Sequence, residues 1–187
     1  VDVSEVSVAS IARKVGLVFQ NPDDQLFSPT VFEDVAFGPL NMGWSETEVR
    51  ESVARALRWV GMTGYERRSS HHLSYGERKR IAIATVLSMS PEVLALDEPT
   101  SNLDPRSKWG LTTVLRSLPM TKLIASHDLE LIRGVCQRAV ILDRGKLVAD
   151  DVTSRILEDM PLLREHGLAP PDERASPSRA LDGSESG

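Results

Sequence analysis

Four short apolar runs stand out along an otherwise mixed chain: Val15 to Phe19, Val93 to Leu96, Leu123 to Ala125 and Ala139 to Leu142. Each is continuous rather than alternating, the pattern of strands buried on both faces of a parallel sheet. Between them apolar residues recur at helical spacing. Ser45 with Glu48 forms a capping box ahead of Val49, Val53, Ala56, Leu57 and Val60, and Gly61 supplies a stop. Ser74 with Glu77 forms a second box, opening a helix through Ile81, Ala84, Val86 and Leu87. Asp104-Pro105 starts a third helix, an N-cap followed by proline at the first helical position, running to about Leu118. Asp143-Arg144-Gly145-Lys146 predicts a tight turn between two strands. Shorter helical segments follow at Thr153 to about Leu157 and Pro161 to His166. Strands alternating with helices imply an α/β fold with a parallel sheet. Residues 21–72 hold helical patterns and no strand, which predicts a helical subdomain inserted between two sheet strands. From about Ala169 onward Pro, Ser, Gly, Glu and Asp dominate, the composition of a solvated tail.

Composition narrows this little. A length of 187 residues allows one substantial domain with a real core. The net charge of -5 argues against a nucleic-acid binder that works by bulk electrostatics. One cysteine, Cys136, excludes an internal disulfide framework and suits a reducing compartment. No run of about 18 apolar residues occurs, and residues 1–15 have no apolar stretch of the kind a signal peptide needs. The chain begins with Val1 rather than Met, and we expect it to have been cut from a longer one.

The chemistry gathers at the strand ends. Val15 to Phe19 leads into Gln20, Val93 to Leu96 into Asp97 and Glu98, and Leu123 to Ala125 through Ser126 to His127. In open α/β sheets ligands sit in the crevice beyond the carboxyl ends of the strands, so these residues would form one cluster. Its members suit phosphoryl chemistry: a carboxylate for magnesium, a base or orienter for water, and a donor to the γ-phosphate. Taken singly, each has a plain alternative. Asp97-Glu98 could cap a helix, Gln20 could be a loop residue, and His127-Asp128 could be a helix start. Leu73-Ser74-Tyr75-Gly76-Glu77 adds a capped helix N-terminus with free backbone N–H groups, a ready anion site or an ordinary cap. Arg78, Lys79 and Arg80 behind it could be a solvated face. His71 and His72 have no further ligand at metal spacing and read as loop; Cys136 reads as a small buried residue, and His166 points to nothing.

Together these residues resemble the ATP-binding-cassette (ABC) ATPases, the nucleotide-binding subunits of ABC transporters. Leu73 to Glu77 is similar to the family signature, with Tyr75 and Glu77 as variants. Val93 to Glu98 resembles the Walker B strand, Ser101 to Asp104 the D-loop, His127 the switch histidine and Gln20 the Q-loop glutamine. The match runs in family order from about Val15 to Asp150. Phe19 to Phe27, Glu77 to Leu94 and the ending Leu162 to Pro171 resemble energy-coupling-factor ATPases, cobalt or nickel uptake being the nearest branch. The resemblance implies a P-loop NTPase-like parallel sheet core with an inserted helical signature subdomain, at about residues 21–90 of a partial ATPase domain spanning 1–168. Residues 169–187 would be a disordered tail. It implies ATP and Mg²⁺ as cofactors. Asp97 would hold Mg²⁺ through water, Glu98 would be the general base, and Gln20 would sense the metal. His127 would contact the γ-phosphate. Ser74 and Gly76, with Glu77 completing the signature, would bind ATP held by an opposing subunit, and Asp104 would lie at that interface. The partners implied are a second ABC ATPase subunit, identical or not, and transmembrane coupling and substrate-binding subunits. The setting would be peripheral, on the cytoplasmic face of the membrane. Phe27, Phe32, Phe37 and Trp44 resemble the segment that receives a transporter; most should pack the helical subdomain, leaving one or two exposed.

No G-x-x-x-x-G-K-[ST] occurs in the sequence, so the phosphate cradle of the family is missing from these residues. We therefore expect the chain alone to bind ATP poorly and hydrolyse little, and its sheet to expose apolar surface beside Val93 to Leu96. Three readings remain: a truncated importer ATPase, a non-catalytic partner that donates its signature, and a soluble ABC ATPase of DNA repair or translation. Retention of Glu98 and His127 disfavours the second; the acidic balance and the lack of a coiled-coil insertion disfavour the third.

Overall fold

Three of the apolar runs pair side by side as a parallel sheet in the computed structural model, which describes Ile11 and residues 14–170. The strands are β1 (Val15–Val18), β2 (Val93–Asp97) and β3 (Thr121–Ala125), in the order β1-β2-β3. Val18 lies opposite Leu96, and Asp97 opposite Ala125. The chain divides into two compact units, Val1–Cys136 and Gln137–Gly187, and each is taken by itself.

In the first unit the sheet is buried on one face, where the sequence pattern predicts two. Gly16, Val18, Leu94 and Leu96 are buried, whereas Val15, Leu17, Phe19 and Leu123 are 36%, 51%, 46% and 68% exposed. The buried face carries α3 (Tyr75–Leu87), whose approach is close: a Cβ on Gly16 would lie 2.0 Å from Val86 Cγ1. Leu111 and Leu115 of α4 (Pro105–Ser117) belong to the same core. Among the described residues the other face has no covering element, so a pattern suited to two-sided burial is met on one side only.

Between β1 and β2 the chain is helical, as the pattern predicts. Two long helices, α1 (Val31–Asn41) and α2 (Glu46–Trp59), pack against α3 and each other. Both begin in full capping boxes, Thr30 with Glu33 and Ser45 with Glu48. The first is a signal of the same kind as the second, present in the sequence but not picked up there. Pro39 lies inside the last turns of α1, where it has no N–H to donate to the carbonyl of Val35. The unit closes with α5 (Leu129–Val135), N-capped by Asp128.

The second unit corrects the sequence reading. The fourth apolar run is not part of the parallel sheet; it lies in β4 (Arg138–Asp143), which pairs antiparallel with β5 (Lys146–Val152). The reason is the turn. Arg144 and Gly145 both take positive φ, 47° and 75°, which gives the two-residue hairpin loop whose twist matches paired strands. A bidentate Arg138–Asp150 pair (2.7 and 2.6 Å) bridges the strands across one face. Two short helices, α6 (Thr153–Glu158) and α7 (Met160–Glu165), follow. His166 Nδ1 sits 2.9 Å from Asp143 Oδ2, so a residue read as idle is tied to the hairpin. The tail beyond Pro170 lies outside the described residues.

Candidate functional site

Parallel pairing of β2 with β3 brings Asp97, Glu98, Ser126 and His127 to the carboxyl end of the sheet. The Glu98 amide donates to the Ala125 carbonyl at 2.9 Å, and Glu98 itself turns through φ 40°, unusual for a residue with a side chain. That turn delivers its carboxylate to the neighbouring loop. Ser126 Oγ donates to Oε2 at 3.0 Å, the His127 amide donates to Oε1 at 3.1 Å, and His127 Nδ1 lies 2.7 Å from the same oxygen. Burial alone would raise the Glu98 carboxyl, but these hydrogen bonds and the imidazole charge outweigh it and hold it below the ordinary carboxylate range. Glu98 is therefore ionised at neutral pH. Facing an ionised oxygen, Nδ1 carries the imidazole proton. Nε2 can then donate to a phosphate only if the ring holds both protons, or if it turns away from Glu98.

A second network braces this end. Thr100 Oγ1 donates to Asp128 Oδ2 at 2.8 Å, Lys108 Nζ lies 2.9 Å from the same oxygen, and the Leu131 amide bonds Oδ1 at 3.2 Å. Burial pushes the Asp128 carboxyl up, but the Lys108 and Thr100 hydrogen bonds more than offset it, so it is lowered on balance. Glu98, Ser101, Asn102, Lys108 and His127 line a shallow cleft of roughly 340 Å³ between the two loops.

Gln20 and Asp97 stand at the same end of the sheet. Gln20 follows β1, whose Val18 is level with Leu96, and its carbonyl accepts from Lys79 Nζ at 2.5 Å. Asp97 is exposed, and its carboxylate makes no hydrogen bond to the described residues. No group of three His, Cys, Asp or Glu side chains among those residues could cage a metal. Mg²⁺ does not need one, since it commonly takes one or two carboxylates with substrate phosphates and water. An exposed carboxylate at a strand end fits that donor set.

The signature residues form a separate cluster. Ser74 caps α3, accepting from the Glu77 amide, while the Glu77 carboxylate takes the Ser74 amide and hydroxyl (both 2.8 Å) and the Tyr65 hydroxyl (2.9 Å). The Ser74 backbone bond is the main cause that lowers the Glu77 carboxyl. Gly76 faces α4 closely: a Cβ there would come within 2.9 Å of Ser107 Oγ and 3.7 Å of Leu103. Asp104, which caps α4 through the Ser107 amide at 3.0 Å, is thus next to the signature. No hydrogen bond among the described residues joins Ser74, Gly76, Glu77 or Asp104 to Glu98 or His127.

Four residues were missed or misjudged from sequence. Lys79 lies in a run of cations that suggests a solvated face, yet it is 1% exposed. Ser126 and Asp128 gave no signal beyond standing beside His127. Cys136 is half-buried rather than buried, and burial raises its thiol. Of the aromatics, Phe32 and Trp44 pack against the core, while Phe27 and Phe37 are 62% and 51% exposed, their rings edge to face at 5.0 Å.

Comparison with known proteins adds the following. Residues 1–101 match the family model described as ABC transporter. The energy-coupling factor transporter ATP-binding protein EcfA of Methanothermobacter thermautotrophicus is 51% identical over 174 residues, covering 91% of this chain and 56% of that protein. EcfA of Methanocaldococcus jannaschii is 44% identical over 168 residues, covering 88% of this chain and 60% of that one. The chain therefore spans less than two thirds of the length of these relatives. Among solved structures, cbiO1 from Clostridium perfringens, described as part of the ABC transporter complex cbiONQ, superposes with a TM-score of 0.75. It is 35% identical, over 86% of this chain and 65% of that one.

Proposed function

The chain belongs to the ABC transporter family, on the ATP-binding side, and on that premise we propose that it works in an energy-coupling-factor type importer. In this reading the whole protein hydrolyses ATP and passes the resulting motion to membrane subunits. The observation that carries the proposal is the Glu98 carboxylate, ionised and held by Ser126 and His127 beside an exposed Asp97. ATP and Mg²⁺ supply the reacting phosphoryl group and the charge that offsets its development. Asp97 contributes one carboxylate to the metal. Glu98 accepts the proton of the attacking water; its Oε2, bonded by Ser126 alone among the described residues, has acceptor capacity left for that water. Gln20, two residues past β1, is the residue we assign, on the resemblance, to sensing the metal and coupling the site to the membrane partner.

Ser74, Gly76 and Glu77 serve ATP on a second ATPase subunit, as their resemblance to the family signature implies; their lack of hydrogen bonds to Glu98 and His127 among the described residues is consistent with that role. Asp104, packed beside them, belongs to the same intersubunit surface. Phe27 and Phe37, exposed on the helical subdomain, receive the transmembrane subunits, which would keep the protein on the cytoplasmic face of the membrane. The cargo we assign is a metal ion or vitamin, with cobalt or nickel first, on the resemblance of Phe19 to Phe27 and Glu77 to Leu94. No residue of this chain would touch it.

The test is Glu98→Gln in the full-length protein. Turnover should fall by at least about 100-fold while ATP binding is retained, the scale of losing a general base. Unchanged steady-state hydrolysis would sink the assignment. Accumulation of labelled cobalt by cells carrying wild type but not Glu98→Gln tests the cargo.

A further inference from the structure

Lys79 is the largest fully buried side chain of the first unit and carries a charge. Its ammonium has no carboxylate within ion-pair distance among the described residues. It donates instead to the Gln20 carbonyl at 2.5 Å, to the Glu98 carbonyl at 3.1 Å and, at the limit of bonding, to Ser101 Oγ at 3.5 Å. Burying an ammonium is unfavourable, and a methionine of similar length would fill the same space without that penalty. What lysine adds over methionine is donors, and all of them are directed at the loops around the candidate base.

The Glu98 backbone has reason to need holding. Its φ of 40° is disfavoured for a non-glycine residue, and such a conformation persists only where its surroundings over-determine it. Its carbonyl takes the Ser101 amide at 3.1 Å and Ser101 Oγ at 2.9 Å, both from within the same turn. Lys79 is the donor that reaches it from another element. It belongs to α3, the helix that begins at Ser74, so one side chain joins the loop of Gln20, the turn of Glu98 and the signature helix.

We propose that Lys79 is a positioning residue for ATP hydrolysis. Its buried ammonium fixes Gln20 and Glu98 relative to one another and to α3, so that the three move together. This rests on the importer-ATPase reading above. The experiment compares wild type, Lys79→Met and Lys79→Gln in the full-length protein by hydrogen–deuterium exchange and steady-state ATP hydrolysis. With melting temperature within about 4 °C of wild type, Lys79→Met should speed amide exchange by about tenfold or more in residues 98–103 and 19–22. It should also lower kcat by about 10–100-fold, the effect of sub-ångström to ångström misplacement, with KM for ATP changed less than about threefold. Lys79→Gln, which keeps a donor, should fall between. Wild-type exchange in both segments of a folded Lys79→Met protein overturns the proposal, as does a lowered kcat without faster exchange. Should Lys79→Met fail to fold, Lys79→Gln carries the test: faster exchange confined to those segments supports the proposal and wild-type exchange overturns it. A wild-type protein that does not hydrolyse ATP defeats the importer-ATPase reading instead, and exchange alone then judges Lys79.

Discussion

At the scale of single residues, two close contacts make sharp expectations. Gly76 has room for hydrogen only, since a Cβ would sit 2.9 Å from Ser107 Oγ and 3.1 Å from its Cβ. Gly76→Ala should therefore destabilise by about 1–3 kcal/mol through overpacking. Ser107→Gly in the same chain should recover more than half of that loss, read from a double-mutant cycle in denaturant. Glu98 gives a second expectation, with a sign. Its hydrogen bonds keep the folded-state carboxyl lower than the unfolded one, so their stabilisation is present above the ordinary carboxylate value and is lost as pH falls through the folded one. Ser126→Ala removes one of those bonds, so the Glu98 carboxyl should titrate at higher pH, measured by NMR of the side-chain carbon. Only part of this could be read from residue types. Asp97, Glu98, His127 and Gln20 were visible because each ends an apolar run. Lys79 was not, because whether a cation in an Arg-Lys-Arg run faces water or core depends on what packs against the helix.

At the scale of elements, local signals were the legible ones. Capping boxes at Ser45 and Ser74 and the Asp104-Pro105 start depend on neighbours three residues apart, and helices begin there. Strand pairing depends on distant partners, so the run at Ala139 to Leu142 gave away its existence but not its neighbour. The turn residues Arg144 and Gly145 held that information, and they decided it for a hairpin. The start of α3 supplies a prediction of its own. The Glu77 carboxylate, lowered first by the Ser74 amide, closes the cap from the side-chain end. Ser74→Ala should cost about 1 kcal/mol of stability, by thermal or denaturant unfolding. The folded-state Glu77 value is depressed, so its contribution is full above the ordinary carboxylate value of about 4.3 and declines as pH falls through the lower folded value. Glu77→Gln should flatten that part of the acid limb in melting temperature against pH.

At the scale of the whole molecule, the parallel sheet is buried on one side among the described residues. Leu123, 68% exposed, should accept Lys with a stability change within about 0.5 kcal/mol in this 187-residue chain. The same substitution should reduce self-association in sedimentation velocity, since contiguous apolar surface drives it. A Leu96→Ala change on the covered face, by contrast, should cost about 2–5 kcal/mol. The bare face has a consequence for the life of the polypeptide in a cell. Until a covering segment or partner lies over them, Leu17, Phe19 and Leu123 present the kind of apolar surface that chaperones and quality-control proteases bind. While that face is open, abundance is governed by a race between capture and cover, and a well-packed core on the opposite side gives no protection in it.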